Sequence, residues 1–219
     1  MKIDLHCHTC YSSDALSSPY NVIKEALKKG LDGIAITDHD TTSGWNDAII
    51  AAKELNAILI LGEEIKSSKG DILGLFLQEE IKMKGCSPKE IIKEIHRQGG
   101  LAIIPHPFYK PGGFKDDIKK YNVDGIEVFN AKRPISGPDK KAFNFARQNN
   151  LIMTAGSDCH NAGACGYAYV ECGAKDLNEF KEKLVKKQVK IHGKKAPLFY
   201  AFTSLLKKLQ KKRPNESSK

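Results

Sequence analysis

Short runs of aliphatic and β-branched residues alternate with helical patterns along almost the whole chain. Eight runs read as strands: residues 2–8 (KIDLHCH), 33–39 (GIAITDH), 57–64 (AILILGEE), 71–77 (DILGLFL), 101–106 (LAIIPH), 125–130 (GIEVFN), 151–158 (LIMTAGSD) and 166–172 (GYAYVEC). Helical spacing of apolar positions fills the gaps. Residues 18–30 begin with Ser18 as cap and Pro19 as first helical residue and stop at Gly30, and residues 86–100 repeat that grammar with Ser87, Pro88 and Gly99. Three more helical patterns cover residues 44–56, 138–150 and 176–188. About seven strands alternating with helices predict an α/β fold with a mostly parallel sheet, rolled into a barrel rather than left open.

A chain of 219 residues is long enough for one α/β domain with a proper core and too short for two. No apolar run approaches a membrane span, and the first residues lack the apolar core of a signal peptide, so a cytoplasmic protein without membrane contact is expected. The net charge of +9 invites a nucleic-acid reading until it is located. From residue 186 onward there are eleven Lys or Arg and one acid, Glu216, whereas the preceding 185 residues hold twenty-four basic and twenty-five acidic residues. The body is therefore near neutral. Residues 196–213 read as an amphipathic helix whose polar face carries Lys207, Lys208, Lys211, Lys212 and Arg213, and residues 214–219 as a frayed end. This divides the chain into a barrel over residues 1–193 and a basic C-terminal helix and tail over 194–219.

The six cysteines are scattered, which predicts no disulfide framework. Cys7 and Cys10 form a C-x-x-C, but no second pair completes a zinc knuckle. The histidines are more informative. In a strand, alternation places Asp4, His6 and His8 on one face and Leu5 and Cys7 on the other. Five of the seven histidines (His6, His8, His39, His106, His160) fall at or just beyond the C-terminal end of a predicted strand. Carboxylates share the pattern, with Asp38 and Asp40 flanking His39, Glu63 and Glu64 closing the third strand, and Asp158 two residues before His160. In a parallel barrel those ends open on one face. Imidazoles and carboxylates crowded there repel or stay unsatisfied unless cations hold them, and mixed nitrogen and oxygen donors suit Zn²⁺, Mn²⁺ or Fe²⁺.

In this order, DLHCHT (4–9), ITDHD (36–40), GEE (62–64), IPHPF (104–108) and GSDCH (156–160) resemble the PHP family, named for polymerase and histidinol phosphatase. The resemblance spans Asp4 to about His160. It implies a distorted (β/α)7 barrel with two or three divalent ions at the strand C-terminal ends, hydrolysing phosphate esters. It implies His6, His8 and Asp158 as ligands of a first ion, Glu64 as the bridge to a second, His106 on the second, and Asp14, His39 and His160 at a third. Asp71 stands where the family often has a histidine, and a carboxylate there shifts preference toward harder ions. Paired cations lower the pKa of a nearby water and take up charge on the phosphoryl oxygens. Glu64, Asp158 and His160 are then the candidate catalytic groups, the last two for moving a proton to the leaving oxygen.

Arg133 and Asn130, at the end of the sixth strand, are candidate substrate contacts, with a solvated loop arginine as the plain alternative for Arg133. His96 in a last helical turn and His192 in a basic loop are read as structural. Glu63 should face away from Glu64, and Glu127 should support a ligand rather than be one. The expected function is a metal-dependent phosphoesterase acting on a phosphate monoester, either a nucleotide or a small metabolite. Two alternatives stand beside it: a nuclease on short single-stranded nucleic acid, drawn through the basic tail, and a non-catalytic binding domain of the same fold.

Overall fold

The computed structural model describes residues 1–200, so the expected basic helix around Lys207 to Arg213 and the frayed end lie outside the described residues. Among the described residues, nine strands form one sheet: β1 (Lys2–Cys7), β2 (Gly33–Ile36), β3 (Ile58–Ser67), β4 (Gly70–Leu75), β5 (Leu101–Ile104), β6 (Gly125–Asn130), β7 (Ile152–Gly156), β8 (Ala168–Glu171) and β9 (Lys190–Gly193). Their order is β7-β6-β5-β4-β3-β2-β1-β8-β9. The chain beyond β7 comes back to β1. Asp158 N donates to His6 O at 2.8 Å, His8 N donates to Cys159 O at 3.0 Å, and Cys7 and Cys159 form a parallel bridge. Strands β1 to β7 therefore make a nearly closed barrel, as the sequence led one to expect.

The direction of two strands departs from the expected alternation. β4 runs antiparallel to both β3 and β5, because only Ser68 and Lys69 separate it from β3, and a parallel crossover needs a dozen residues or more. Gly70 makes the tight hairpin feasible: its φ is +136°, and a Cβ there would meet Phe114 Cα at 3.1 Å. β8 is antiparallel to β1 and carries β9 on its far side, a strand the apolar pattern did not announce. The link from β7 to β8 holds only a short 3-10 turn, Ala162–Ala164, which cannot span a parallel return.

Among the described residues, five helices cover the sheet: α1 (Pro19–Lys28), α2 (Trp45–Glu54), α3 (Pro88–Arg97), α4 (Gly137–Gln148) and α5 (Leu177–Val185). α1 starts as expected, with Ser18 accepting from Asn21 N and Pro19 in the first turn. At α3, Ser87 and Glu90 complete a reciprocal capping box. One apolar cluster packs Ile34, Ile36, Ile104 and Ile126 of the strands against Val22 and Ile23 of α1, alanines of α2 and α4, and Ile91 and Ile95 of α3. A second packs Ile3, Leu5, Ile60, Leu75 and Ile103 against Phe180 and Leu184 of α5. Beyond β9 the chain stays bonded to the barrel, with Lys194 N donating to Tyr167 O and Ala196 N to Ala131 O. No helix among the described residues is long and apolar enough to cross a membrane.

Two bulges position the chemistry. The β1–β2 register shifts between Asp4 and Cys7, and the β6–β7 register shifts between Glu127 and Phe129. An extra residue in a ladder re-aims the side chains beside it.

Candidate metal centre

The bulge in β1 breaks strict alternation, and Asp4 does not join the two histidines. Its Oδ1 accepts from Ser157 N at 2.9 Å and its Oδ2 from Gly166 N at 2.9 Å, so it ties β1 to the loop beyond β7. His6 and His8 do converge. His6 Nδ1 lies 3.0 Å from Glu127 Oε1, and His8 Nδ1 lies 3.2 Å from Ser12 Oγ. Ser12 Oγ donates to Asp38 Oδ1, so it accepts from His8. Each ring therefore keeps a proton on Nδ1 and turns Nε2, the nitrogen that is left to ligate, toward the other. Those two Nε2 atoms are 3.0 Å apart, and Glu64 Oε2 stands 3.4 Å from one and 3.2 Å from the other. Asp158 Oδ1 is 3.4 Å from His8 Nε2.

All of these side chains are buried. Ring nitrogens and carboxylates converging in a dry pocket need positive charge between them, which ring protons supply without metal and a divalent ion can supply in their place. The electrostatics agree. Burial raises the cost of charge on Glu64 and Asp158, yet His39 and His6 hold Glu64 well below the usual carboxylate range, and Lys132 and His6 do the same for Asp158. Burial opposes charge on His8 as well, but Asp158 and Glu64 overcome it and push that ring up to about 9.

Among the described residues, three groups of histidine and carboxylate donors are close enough for one ion each, every ligand atom in a group lying within 4.8 Å of the others: His6, His8 and Asp158; Glu64, Asp71 and His106; and His8, His39 and His160. Asp14 adjoins the third, with Oδ1 3.1 Å from His160 Nε2 and 3.7 Å from His39 Nε2. Glu64 lies between groups: Oε2 is 2.9 Å from His39 Nδ1 while Oε1 is 3.3 Å from His106 Nε2. The buried Nδ1 of His106 has no hydrogen-bond partner among the described residues. Asp71 reaches this rim from the start of its strand, not the end, because β4 is reversed; its Oδ1 also pairs with Lys66 Nζ at 2.8 Å.

Backbone strain accompanies the donors. His106 and Asp158 have φ of +34° and +51°, a region unfavourable to L-residues by about 1–3 kcal/mol. His106 N donates to Glu127 Oε2 at 2.9 Å and Asp158 N to His6 O, which holds both in place.

The groups open on a cleft of about 400 Å³ whose lining includes Lys66, Lys84, Lys132 and Arg133. Arg133 lies at that lining, with a buried Nε that has no partner among the described residues. Asn130, expected at the substrate, is fully buried: its Nδ2 donates to Glu127 Oε2 at 2.9 Å and Asp158 Oδ2 at 3.2 Å, and its Oδ1 accepts from Arg133 N. Sequence reasoning missed Lys132, whose Nζ is 3.0 Å from Asp158 Oδ1 and 3.2 Å from both His160 ring nitrogens. Its signal was its place beside Arg133, just past a strand end. His96 and His192 lie outside all three groups, paired with Asp124 at 2.8 Å and Glu171 at 2.7 Å.

Known proteins place the chain among relatives. The PHP domain family model matches residues 4–155, and the PHP-associated model matches residues 139–188. An uncharacterized protein of Methanocaldococcus jannaschii is 45% identical over 143 residues, covering 60% of this chain and 82% of its own. A 5'-3' exoribonuclease of Haemophilus influenzae is 43% identical over 67 residues, which is 31% of this chain and 24% of the enzyme. A crystal structure of a two-domain protein from Bacteroides vulgatus, described as containing a predicted PHP-like metal-dependent phosphoesterase, superposes with a TM-score of 0.75 at 21% identity over 94% of this chain and 69% of that one. With a family model covering well over half its length and the barrel to match, the chain belongs to the PHP family.

Proposed function

We propose that this chain is a metal-dependent phosphoesterase that hydrolyses a phosphate monoester, a nucleotide or a small phosphorylated metabolite. The observation that carries this reading is the convergence of buried imidazole nitrogens and carboxylates under a cleft lined by Lys132 and Arg133. His6, His8, Asp158 and Glu64 would hold one divalent ion, Glu64, Asp71 and His106 a second, and Asp14, His39 and His160 a third. Zinc, manganese or iron fits this mixed donor set. Such ions, when bound, lower the pKa of water and draw charge from phosphoryl oxygens.

The chain's own residues supply orientation and charge. Glu127 accepts from His6 and fixes its tautomer, and Asn130 holds Glu127 and Asp158 in register. That makes Asn130 a positioning residue, not a substrate contact. Lys132 and Arg133 face the cleft as partners for phosphoryl oxygens. Burial, with the nearby charges of Lys132 and His8, lowers His160 to about 4, so the ring is neutral at pH 7, the form in which an imidazole can ligate an ion. Lys132 Nζ lies within hydrogen-bond distance of that ring and of Asp158, which sets its ammonium beside the groups that would hold the ions.

The test is phosphate release. Protein reconstituted with Mn²⁺ or Zn²⁺ is expected to release inorganic phosphate from at least one member of a panel of nucleotides and sugar phosphates. His8→Ala should fold normally yet lose at least about 100-fold in kcat/KM. A metal-loaded protein inert across the panel, or a His8→Ala variant of unchanged activity, contradicts the proposal. A nuclease reading stands second, favoured by the similarity to the exoribonuclease over 67 residues. Cleavage of short single-stranded RNA faster than any monoester would promote it.

A further inference from the structure

Behind the histidine and carboxylate donors lies a set of side chains that the proposed reaction does not use. Cys7 stands between His6 and His8, Cys159 between Asp158 and His160, and Cys165 just after the Ala162–Ala164 turn. All three are free thiols and fully buried. Their sulfurs lie within 4.8 Å of one another, with Cys7 Sγ and Cys165 Sγ 3.7 Å apart. Sulfurs at about 2.3 Å from a tetrahedral ion are about 3.8 Å from each other, which the Cys7–Cys165 pair already matches.

The trio is apolar on one side only. Asp4, itself fully buried, places Oδ2 3.7 Å from Cys165 Sγ, and Ser157 Oγ is 4.0 Å from Cys7 Sγ. Sequence spacing had paired Cys7 with Cys10 as a C-x-x-C, but Cys10 is exposed and outside the trio. The location is the barrel seam. Cys7 ends β1, Cys159 continues β7, and the two residues form the isolated bridge that closes the sheet.

We propose that Cys7, Cys159 and Cys165, with the Asp4 carboxylate on the fourth side, form a separate site for one thiophilic divalent ion of the zinc class. The ion would clasp the seam from the side opposite the histidines, joining β1, the extension of β7 and the loop that leads to β8. Thiols that ligate release their protons to solvent on binding. This site is independent of the phosphoesterase reading, since none of its donors belongs to the three histidine and carboxylate groups.

The experiment uses the whole protein, reduced, stripped with a chelator and titrated with Cd²⁺ while ultraviolet thiolate-to-cadmium absorption is recorded. The band should saturate at about one equivalent per chain assigned to sulfur. Cys165→Ser should lose most of it, while Cys10→Ser and Cys86→Ser should keep it. X-ray absorption on zinc-loaded wild-type protein, which depends on no variant, should show sulfur neighbours at about 2.3 Å beside nitrogen and oxygen. No thiolate band at saturating Cd²⁺, a zinc shell of nitrogen and oxygen alone, or a Cys7–Cys165 disulfide in protein purified without oxidant overturns the proposal.

Discussion

At the scale of single residues, the site is decided by which ring nitrogen each histidine leaves free. Glu127 and Ser12 engage the Nδ1 atoms of His6 and His8, and both Nε2 atoms are left facing Glu64. In metal-free protein His8 holds a proton up to about pH 9, because Asp158 and Glu64 overcome the cost of burying the charge. A ligating ring must be neutral, so metal competes with that proton. Metal affinity should therefore fall as pH drops below about 9, by about tenfold per pH unit for each proton displaced. Chelator competition at pH 6.5 and pH 8 checks this, and equal affinity at the two values contradicts it. Two near neighbours, one ending β6 and one just beyond it, should separate in kinetics. Lys132→Ala should raise KM for a phosphate ester, whereas Asn130→Ala should lower kcat by about 10–100-fold with KM little changed, as loss of a group that orients a ligand does.

At the scale of elements, much was legible and the failures have identifiable causes. The starts of α1 and α3 followed from Ser18-Pro19 and Ser87-Pro88, and five histidines were rightly placed at strand ends because aliphatic runs stop where the barrel mouth begins. The reversal of β4 was not legible, since an apolar run looks the same in either direction; only the two residues between Ser67 and Gly70 carried the information. Nor did Asp4 betray its role, because a bulge changes which face a side chain takes and leaves no mark on composition. The sequence points to Asn130 as a substrate contact and passes over Lys132 for a similar reason: strand-end position does not tell a side chain turned into the barrel from one turned over its mouth. Glu63 on β3 was expected to face away from Glu64, and it does: its Oε2 accepts from Ile81 N at 2.9 Å, while buried Oε1 has no partner among the described residues. Burial, reinforced by Glu80 and Asp40, pushes Glu63 up to about 7. Its folded-state pKa exceeds the unfolded value of 4.5, so its contribution is complete below pH 4.5 and is lost as pH rises through about 7. Wild-type protein should lose up to about 3 kcal/mol relative to Glu63→Gln between pH 5 and pH 8. Urea midpoints of both proteins at the two pH values measure it, and parallel curves would contradict this account.

At the scale of the molecule, the barrel closes through few hydrogen bonds between β1 and the extension of β7, and the donors on both sides of that seam belong to the proposed metal centre. Ions that bind only the folded barrel should stabilise it, by about 4 kcal/mol at a thousandfold excess over Kd. Chelation should accordingly lower Tm, and adding back Mn²⁺ or Zn²⁺ should restore it. The measurement that bears most directly on the central claim is anomalous X-ray diffraction from metal-loaded crystals at the absorption edge of the bound ion. Peaks enclosed by His6, His8 and Asp158 and by Glu64, Asp71 and His106 are the predicted result; crystals of loaded protein with no peak touching Glu64 would contradict it.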